Sequence, residues 1–331
     1  MKKIGIIQIS PKRYGGIIYN KWIKDVLSEN FEADLVKVEP KYFKKIKYLK
    51  IPESLIYLSK LKDEKDLWIR DFYSTLTLPF DKIKGKNLVI LYHIDFSGFP
   101  LISRPIFFLL EKIFFYHNLK KADTIVTISE YWKNYFLRRG YQNVYKIYCG
   151  FDLENFSIPE EEVLEFKKKY NLEGKPILYI GNCQKAKGVV ESYKALKDLD
   201  AYLVTSGERQ VKIPAKNFDL GYRGYLCLLK ASSIVITMSK FQEGWCMTTH
   251  EAMLLKTPVI GSGLGGMREL LEKGKQIICE NYKDLKKIVE SLLADSDRRK
   301  KMGEDGYNFA KTFTKEKFKE AWLDLVKKIL E

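Results

Sequence analysis

Short apolar, β-branched runs recur along this chain, and most are followed by a stretch with helical periodicity. In the first half the strand-like runs are Ile4–Ile9, Leu67–Ile69, Leu88–Tyr92 and Thr124–Ile128, with helical patterns at Ile17–Leu27, Pro105–Leu119 and Glu130–Arg139. The second half restarts the theme with Ile177–Ile180, Ala201–Thr205, Ile234–Thr237, Val259–Ile260 and Gln276–Cys279. Alternation of this kind predicts α/β architecture, with parallel sheets covered by helices on both faces. The pattern breaks over residues 149–160, where Cys149-Gly150-Phe151-Asp152 is followed by Ser157, Pro159 and three glutamates. With 331 residues the chain has the length of two domains joined there. The expected division is a domain at 1–150, a second at 151–312, and a C-terminal helix at 313–331 that returns to the first. That helix is amphipathic through Phe318, Trp322, Leu325 and Ile329. Facing the carboxyl edges of two parallel sheets across a cleft would enclose a pair of substrates.

Lysine and arginine total 58 against 42 acids, a formal net charge of +16. That surplus favours an anionic partner such as nucleotide phosphates, nucleic acid or an acidic membrane. The lysines are dispersed rather than gathered in one stripe, and no nucleic-acid motif is visible, so nucleic acid is the weaker expectation. The five cysteines (Cys149, Cys183, Cys227, Cys246, Cys279) form no CxxC pair, against a disulfide framework or a structural zinc site. The opening Met1–Ile7 reads as a first strand rather than a signal sequence, since Gln8 and Pro11 end its apolar run. The longest near-apolar stretch, residues 99–116, is interrupted by Ser103, Arg104, Glu111 and Lys112 and is not a membrane span. A cytoplasmic protein is expected, with contact at the inner face of the plasma membrane as a further option.

The densest signal lies in Glu243-Gly244-Trp245-Cys246-Met247-Thr248-Thr249-His250-Glu251. An apolar strand precedes it and the helical run Ala252–Leu255 comes after it, so it is a loop leaving a sheet and entering a helix. Such a helix start offers N–H groups and partial positive charge to sugars and phosphates. Glu251 is expected in the first helical turn with Thr248 or Thr249 as cap. There it can accept both hydroxyls of a ribose, while Glu243 on the loop can bind sugar hydroxyls. A glutamate at a helix start is also favourable for electrostatic reasons alone, and the spacing admits both readings.

Together with the downstream run Pro258-Val259-Ile260-Gly261-Ser262-Gly263-Leu264-Gly265-Gly266, this segment resembles the signature of retaining GT-B glycosyltransferases of the large family four, the glycosyl transferases group 1. That family carries an E-x7-E motif followed by PVI and a Gly-Gly turn. Other parts match in order: Gly15-Gly16, Ala122–Glu130, Cys149–Asp152, and Tyr179-Ile180-Gly181-Asn182 through Lys187-Gly188. The resemblance covers nearly the whole chain. It implies two Rossmann-like domains facing across a cleft, the N-terminal one for the acceptor and the C-terminal one for the nucleotide-sugar. It also implies that Glu251 holds the donor ribose and Glu243 the donor sugar, and that Lys187 neutralises the diphosphate. Gly16 would give an amide to the same phosphates, and His93, after the strand Leu88–Tyr92, would face the donor sugar. Gly244, Trp245 and Cys246 complete the donor loop. Asp95 is a weaker neighbour of His93.

Departures from the family pattern are informative. Asn182 stands where an arginine is usual, and Lys185 is the cation nearest to replace it, without the forked guanidinium. Trp245 and Cys246 replace Phe-Gly, so bulk at Trp245 is expected to reshape the sugar pocket. Arg268 replaces a common proline and is expected to add positive charge. The aromatic-rich Phe96–Tyr116 offers Phe107, Phe108, Phe114 and Phe115, with Lys112, Lys120 and Lys121, either to a membrane or to the core.

The function expected is a retaining, metal-independent hexosyl transfer from a UDP- or GDP-linked sugar to a sugar, glycan, lipid-linked or small-molecule hydroxyl. No cofactor is expected beyond that donor. The alternatives are a non-catalytic, epimerase-like or phosphorylase-like GT-B relative, or a basic α/β protein that binds nucleic acid or membrane.

Overall fold

The computed structural model describes residues 1–9, 15–43, 49–94 and 104–331, the side chains of 15–17, 104, 106, 107, 110 and 113 excepted. Residues 1–150 with 315–331 form one unit, and 151–314 form the other.

The first unit runs β1 (Lys3–Gln8), α1 (Gly15–Leu27), β2 (Glu32–Lys37), α2 (Lys50–Lys60), β3 (Glu64–Arg70), α3 (Phe72–Thr75) and β4 (Lys84–Leu91). It continues with α4 (Arg104–Leu109), a π-helical turn (Leu110–Phe115), α5 (Tyr116–Leu119), β5 (Thr124–Thr127), α6 (Glu130–Leu137) and β6 (Val144–Lys146). Its six strands pair in parallel in the order β2-β1-β3-β4-β5-β6. Central strands bury both faces, which is why Ile4, Ile6 and Ile7, or Leu88 to Leu91, read as unbroken apolar runs. Phe115 belongs to this interior. It is fully buried with Trp132 and Phe136, and its ring lies 4.4 Å from that of Phe72. Of the two readings of this aromatic segment, the core holds for Phe115, which the π-helical turn points at the sheet, and the membrane option is corrected for this residue. Phe108 and Phe114 are exposed, and the Phe107 side chain lies outside the described residues.

The second unit runs α7 (Glu160–Lys169), β7 (Ile177–Asn182), α8 (Val189–Leu196), β8 (Tyr202–Ser206), β9 (Lys216–Phe218), α9 (Tyr222–Ala231) and β10 (Ile234–Thr237). It ends with α10 (Met247–Leu254), β11 (Val259–Gly261), α11 (Gly266–Lys273), β12 (Ile277–Ile278), α12 (Tyr282–Ala294) and α13 (Ser296–Ala310). The parallel order is β12-β11-β10-β7-β8-β9. Its core packs Leu178, Ile180, Ile234, Ile236 and Ile260 of the sheet against Leu196, Leu285, Val289 and Leu292 of the helices. Each such side chain contributes about 1.5–3 kcal/mol of transfer free energy.

The final helix, α14 (Lys315–Leu330), buries Phe318, Trp322, Leu325 and Ile329. It packs on α1, where the Tyr19 ring meets Phe318 at 5.2 Å. Strands β2, β6 and β9 do not stand out in the sequence. All three are sheet edges, where one neighbour is missing and the apolar pattern weakens.

In the second sheet the strand order reverses between β7 and β10. A parallel sheet leaves a crevice at such a point, beyond the carboxyl ends of its strands, because the two flanking loops diverge to opposite faces. The first sheet reverses between β1 and β3.

Candidate functional site

The loops that leave β7 and β10 carry the acids and cations singled out in the second half. After Asn182 ends β7, the chain makes a 3-10 turn over Lys185–Lys187 and closes at Gly188 with φ +71°. A Cβ on Gly188 would stand 2.1 Å from both Met238 O and Tyr282 Oη, so only glycine lets this turn lie against the end of β10. The turn is further tied by the Lys240 N–H, which donates to Ala186 O at 2.9 Å. That approach sets Lys187 Nζ 2.7 Å from Glu243 Oε1. Ser239 Oγ donates to the same oxygen, and the ammonium also lies 4.8 Å from the Phe241 ring centre.

Glu243 is nearly buried, and its backbone is gripped from the far side of the loop. Its N–H donates to Leu264 O at 3.2 Å, and its carbonyl accepts from Gly266 N–H at 2.8 Å. Between these, Gly265 has φ +67°, and a Cβ there would stand 2.4 Å from Glu243 O. The Gly-Gly pair after β11 is thus the seat of the first acid.

Helix α10 starts differently from the sequence expectation. Its N-cap is Cys246, in the left-handed region at φ 65°, and neither threonine caps the helix. Thr249 instead donates to Cys246 Sγ at 3.1 Å and pairs with Thr237 Oγ1 at 3.0 Å. Glu251 is consequently in the second turn, not the first, and is nearly buried. Two phenols donate to it: Tyr222 to Oε1 at 3.1 Å and Tyr225 to Oε2 at 3.0 Å. Tyr225 also meets Thr248 Oγ1 at 3.0 Å. Burial pushes the Glu251 carboxyl up to about 7, against the pull of the two phenols. Tyr179 extends the cluster. Its ring lies 6.3 Å from Tyr225, and its hydroxyl reaches Ser206 Oγ at 2.8 Å and Asn182 Oδ1 at 3.3 Å. Asn182, Tyr179, Tyr225 and Glu251 therefore form one chain of contacts.

The middle of the loop faces inward. Trp245 is buried, and its Nε1–H donates to His250 Nδ1 at 3.1 Å. With Nδ1 accepting, Nε2 carries the proton and donates to Ala310 O at 3.1 Å. His250 is neutral in this role, and burial pushes it down to about 3. Phe151 stacks on it at 4.0 Å and Phe313 meets it edge-on at 5.1 Å. The expectation that the Trp245 ring shapes a sugar pocket is corrected: the ring braces the loop from within, and only its backbone is left for a ligand. Lys185 is exposed. Arg268 is already paired with Glu280 at 2.6 Å and Glu272 at 3.4 Å.

In the first unit, His93 is exposed and lies two residues past β4. Gly16 is the second residue of α1, which comes after β1. The Tyr92 hydroxyl donates to Asn20 Oδ1 at 2.6 Å, linking the end of β4 to α1 and placing His93 and Gly16 along the same edge of their sheet. Asp95 lies outside the described residues.

Three residues of the cluster are not legible as such in the sequence. Tyr222 and Tyr225 are three apart at the start of α9, a spacing that puts both on one helix face, and Gly221-Tyr222-Arg223-Gly224-Tyr225 is the signal that could have found them. His250 sits inside the singled-out loop, but its inward direction has no sequence mark.

Residues 160–309 match the family described as glycosyl transferases group 1. The match takes in the second unit from its first α-helix, α7, to the last turn of α13. An uncharacterized glycosyltransferase of Methanocaldococcus jannaschii is 27% identical over 222 residues, 62% of this chain and 60% of its own length. Spore coat protein SA of Bacillus subtilis is 26% identical over 243 residues, 58% of this chain and 64% of its own. The chain thus spans less than two thirds of the length of these curated relatives. Among solved structures, sucrose-phosphate synthase from Thermosynechococcus elongatus has TM-score 0.80 at 16% identity, over 99% of each chain. Anabaena HepE, solved in complex with UDP and glucose, has TM-score 0.73 at 14% identity, over 99% of this chain and 100% of its own. These likenesses establish the fold as GT-B, with the group 1 domain as the second of two Rossmann-like units.

Proposed function

We propose that this protein transfers a hexose from a nucleotide-sugar to an acceptor hydroxyl, with retention at the anomeric carbon. The observation that carries the reading is that the Lys187–Glu243 pair and the tyrosine-bonded Glu251 lie on the segments that leave β7 and β10, the two strands between which the sheet order reverses, within the stretch matched by the group 1 family. In this reading Glu251 accepts the ribose hydroxyls and Glu243 the hydroxyls of the donor sugar. Lys187, the backbone N–H groups of Gly244 to Cys246 and the start of α10 stabilise the diphosphate as negative charge builds on it. No metal is assigned a part. Asn182 and Lys185 border the same phosphates. In the first unit, Gly16 offers an amide and His93 a side chain along one edge of their own sheet.

The C1–O bond to the diphosphate breaks as the acceptor oxygen bonds C1 on the same face. The acceptor proton passes to the departing phosphate oxygen, so no protein nucleophile is needed. A UDP donor is favoured over GDP by the UDP-glucose complex of Anabaena HepE, which shares the fold. Calorimetry with UDP, GDP and ADP, followed by a hydrolysis screen of nucleotide-sugars, tests the reading. Micromolar binding of one diphosphate, lost in Glu251→Ala, is expected. Absence of any binding overturns the donor-site assignment, and binding without hydrolysis or transfer favours a non-catalytic relative.

For the acceptor, exposed Phe108, Leu109 and Phe114 beside Lys112, whose ammonium lies 5.4 Å from the Phe108 ring centre, favour a lipid-linked molecule at an anionic membrane face. Flotation with anionic liposomes, reduced when Phe108 and Phe114 become serine, is the expected outcome. Unaltered protein that stays in the aqueous fraction removes this reading.

A further inference from the structure

Tyr222 and Tyr225 both reach Glu251, but they are held very differently. Tyr225 is bonded to Thr248 as well as to Glu251 and is largely enclosed. Tyr222 sits next to the N-cap of α9, Gly221, which has open space around it, and 52% of the tyrosine is exposed. Its hydroxyl has one hydrogen bond, to Glu251 Oε1 at 3.1 Å. A carboxylate oxygen so nearly buried needs a donor, because leaving it bare costs the desolvation of a charged group. The chain supplies that donor from a side chain whose ring is half in solvent.

We propose that Tyr222 is a ribose stand-in: its phenol occupies Glu251 Oε1 in the nucleotide-free protein and swings outward when a ribose hydroxyl takes that oxygen. This rests on the assignment of Glu251 as the ribose ligand and adds what that assignment lacks, a competing occupant. The exchange is hydrogen bond for hydrogen bond, so Tyr222 lowers apparent affinity without contributing to the bound complex. It sets selectivity too. A ligand without ribose hydroxyls cannot displace the phenol and gains nothing at this acid.

Removing only the hydroxyl tests the idea, since Tyr222→Phe keeps the ring on an exposed helix start. Calorimetry of the full chain with UDP and GDP is expected to show about 3- to 10-fold tighter binding by Tyr222→Phe, because the free state loses its occupant while the bound state does not. The 2′,3′-dideoxy form of the same diphosphate and inorganic pyrophosphate are expected to bind both proteins equally. Tyr222→Ala controls for the ring and is expected to gain for the ribose-bearing ligand as well. Equal or weaker binding of the ribose-bearing diphosphate by Tyr222→Phe, or an equal gain with the dideoxy ligand, overturns the proposal while leaving Glu251 as ribose ligand. Unchanged affinity in Glu251→Ala, or no diphosphate binding by the unaltered protein, overturns both.

Discussion

Trp245 donates its indole N–H to His250 Nδ1 across 3.1 Å, and these two side chains lie between the two glutamates of the loop. The bond fixes the histidine as the Nε2–H tautomer, and that N–H donates to Ala310 O at 3.1 Å. The loop that carries the acids is thereby pinned to the end of α13 from below.

His250→Phe keeps the stacking on Phe151 but leaves the Trp245 N–H and the Ala310 carbonyl without this partner. A loss of about 2–4 kcal/mol is expected in urea unfolding at pH 8. An unchanged midpoint would mean that the two hydrogen bonds contribute nothing net.

Lys187→Met removes the cation from an acid with little access to water. Because Lys187 is itself partly exposed, the expected loss is modest, about 1–2 kcal/mol. Pairing it with Glu243→Gln should restore the urea midpoint. Transfer activity should fall by about 100-fold or more in both proteins, since the ammonium is assigned to the leaving group. A double variant as active as the parent would reduce the pair to a structural ion pair.

Two buried groups give opposite pH dependences. Glu251 is raised from 4.5 to about 7, so its contribution is fully present below pH 4.5 and is lost as pH rises through 7. The loss amounts to about 3 kcal/mol by pH 8. His250 is lowered from 6.5 to about 3, so its contribution is present above pH 6.5 and is lost as pH falls toward 3. The tyrosines that face Glu251 (Tyr179, Tyr222 and Tyr225) are all raised above the ordinary phenol value and stay protonated throughout. Between pH 4.5 and 6.5 the two slopes oppose each other. Urea midpoints should therefore be nearly flat there for the parent. They should fall on acidification for Glu251→Gln and fall with rising pH for His250→Phe. Parallel curves for all three proteins would contradict the shifts.

Cys246 takes a left-handed backbone that glycine adopts freely and β-branched residues hardly at all. Cys246→Gly should stay within about 1 kcal/mol of the parent, trading backbone strain for a lost thiol contact. Cys246→Val should lose about 2 kcal/mol or more. Thermal unfolding of the two variants side by side is the measurement, and equal midpoints would argue against the strained cap.

Central strands are legible in the sequence because burial on both faces leaves unbroken apolar runs, as in Ile234–Thr237. Edge strands such as Val144–Lys146 and Lys216–Phe218 are not, because they are short and half polar. At the site, the loop Glu243–Glu251 and the glycine turn Gly265-Gly266 stand out as segments. Their contact through the Glu243 backbone does not, since pairing between distant loops leaves no local pattern. The helix cap falls at Cys246 rather than at a threonine because the turn into α10 demands a left-handed residue there, which outweighs threonine's preference for caps. Trp245 points inward against expectation because side-chain direction in a loop obeys no periodicity.

The two ends of the second unit meet. Phe151 N–H donates to Phe313 O at 3.0 Å, and Phe151 pairs with Thr314 in a short parallel bridge. The first and last residues of this unit are neighbours, and the family match, residues 160–309, falls wholly between them. A segment whose two ends touch can be excised or exchanged for a homologous one without re-routing the remaining polypeptide. In such a chain, the matched family segment is inherited as a cassette.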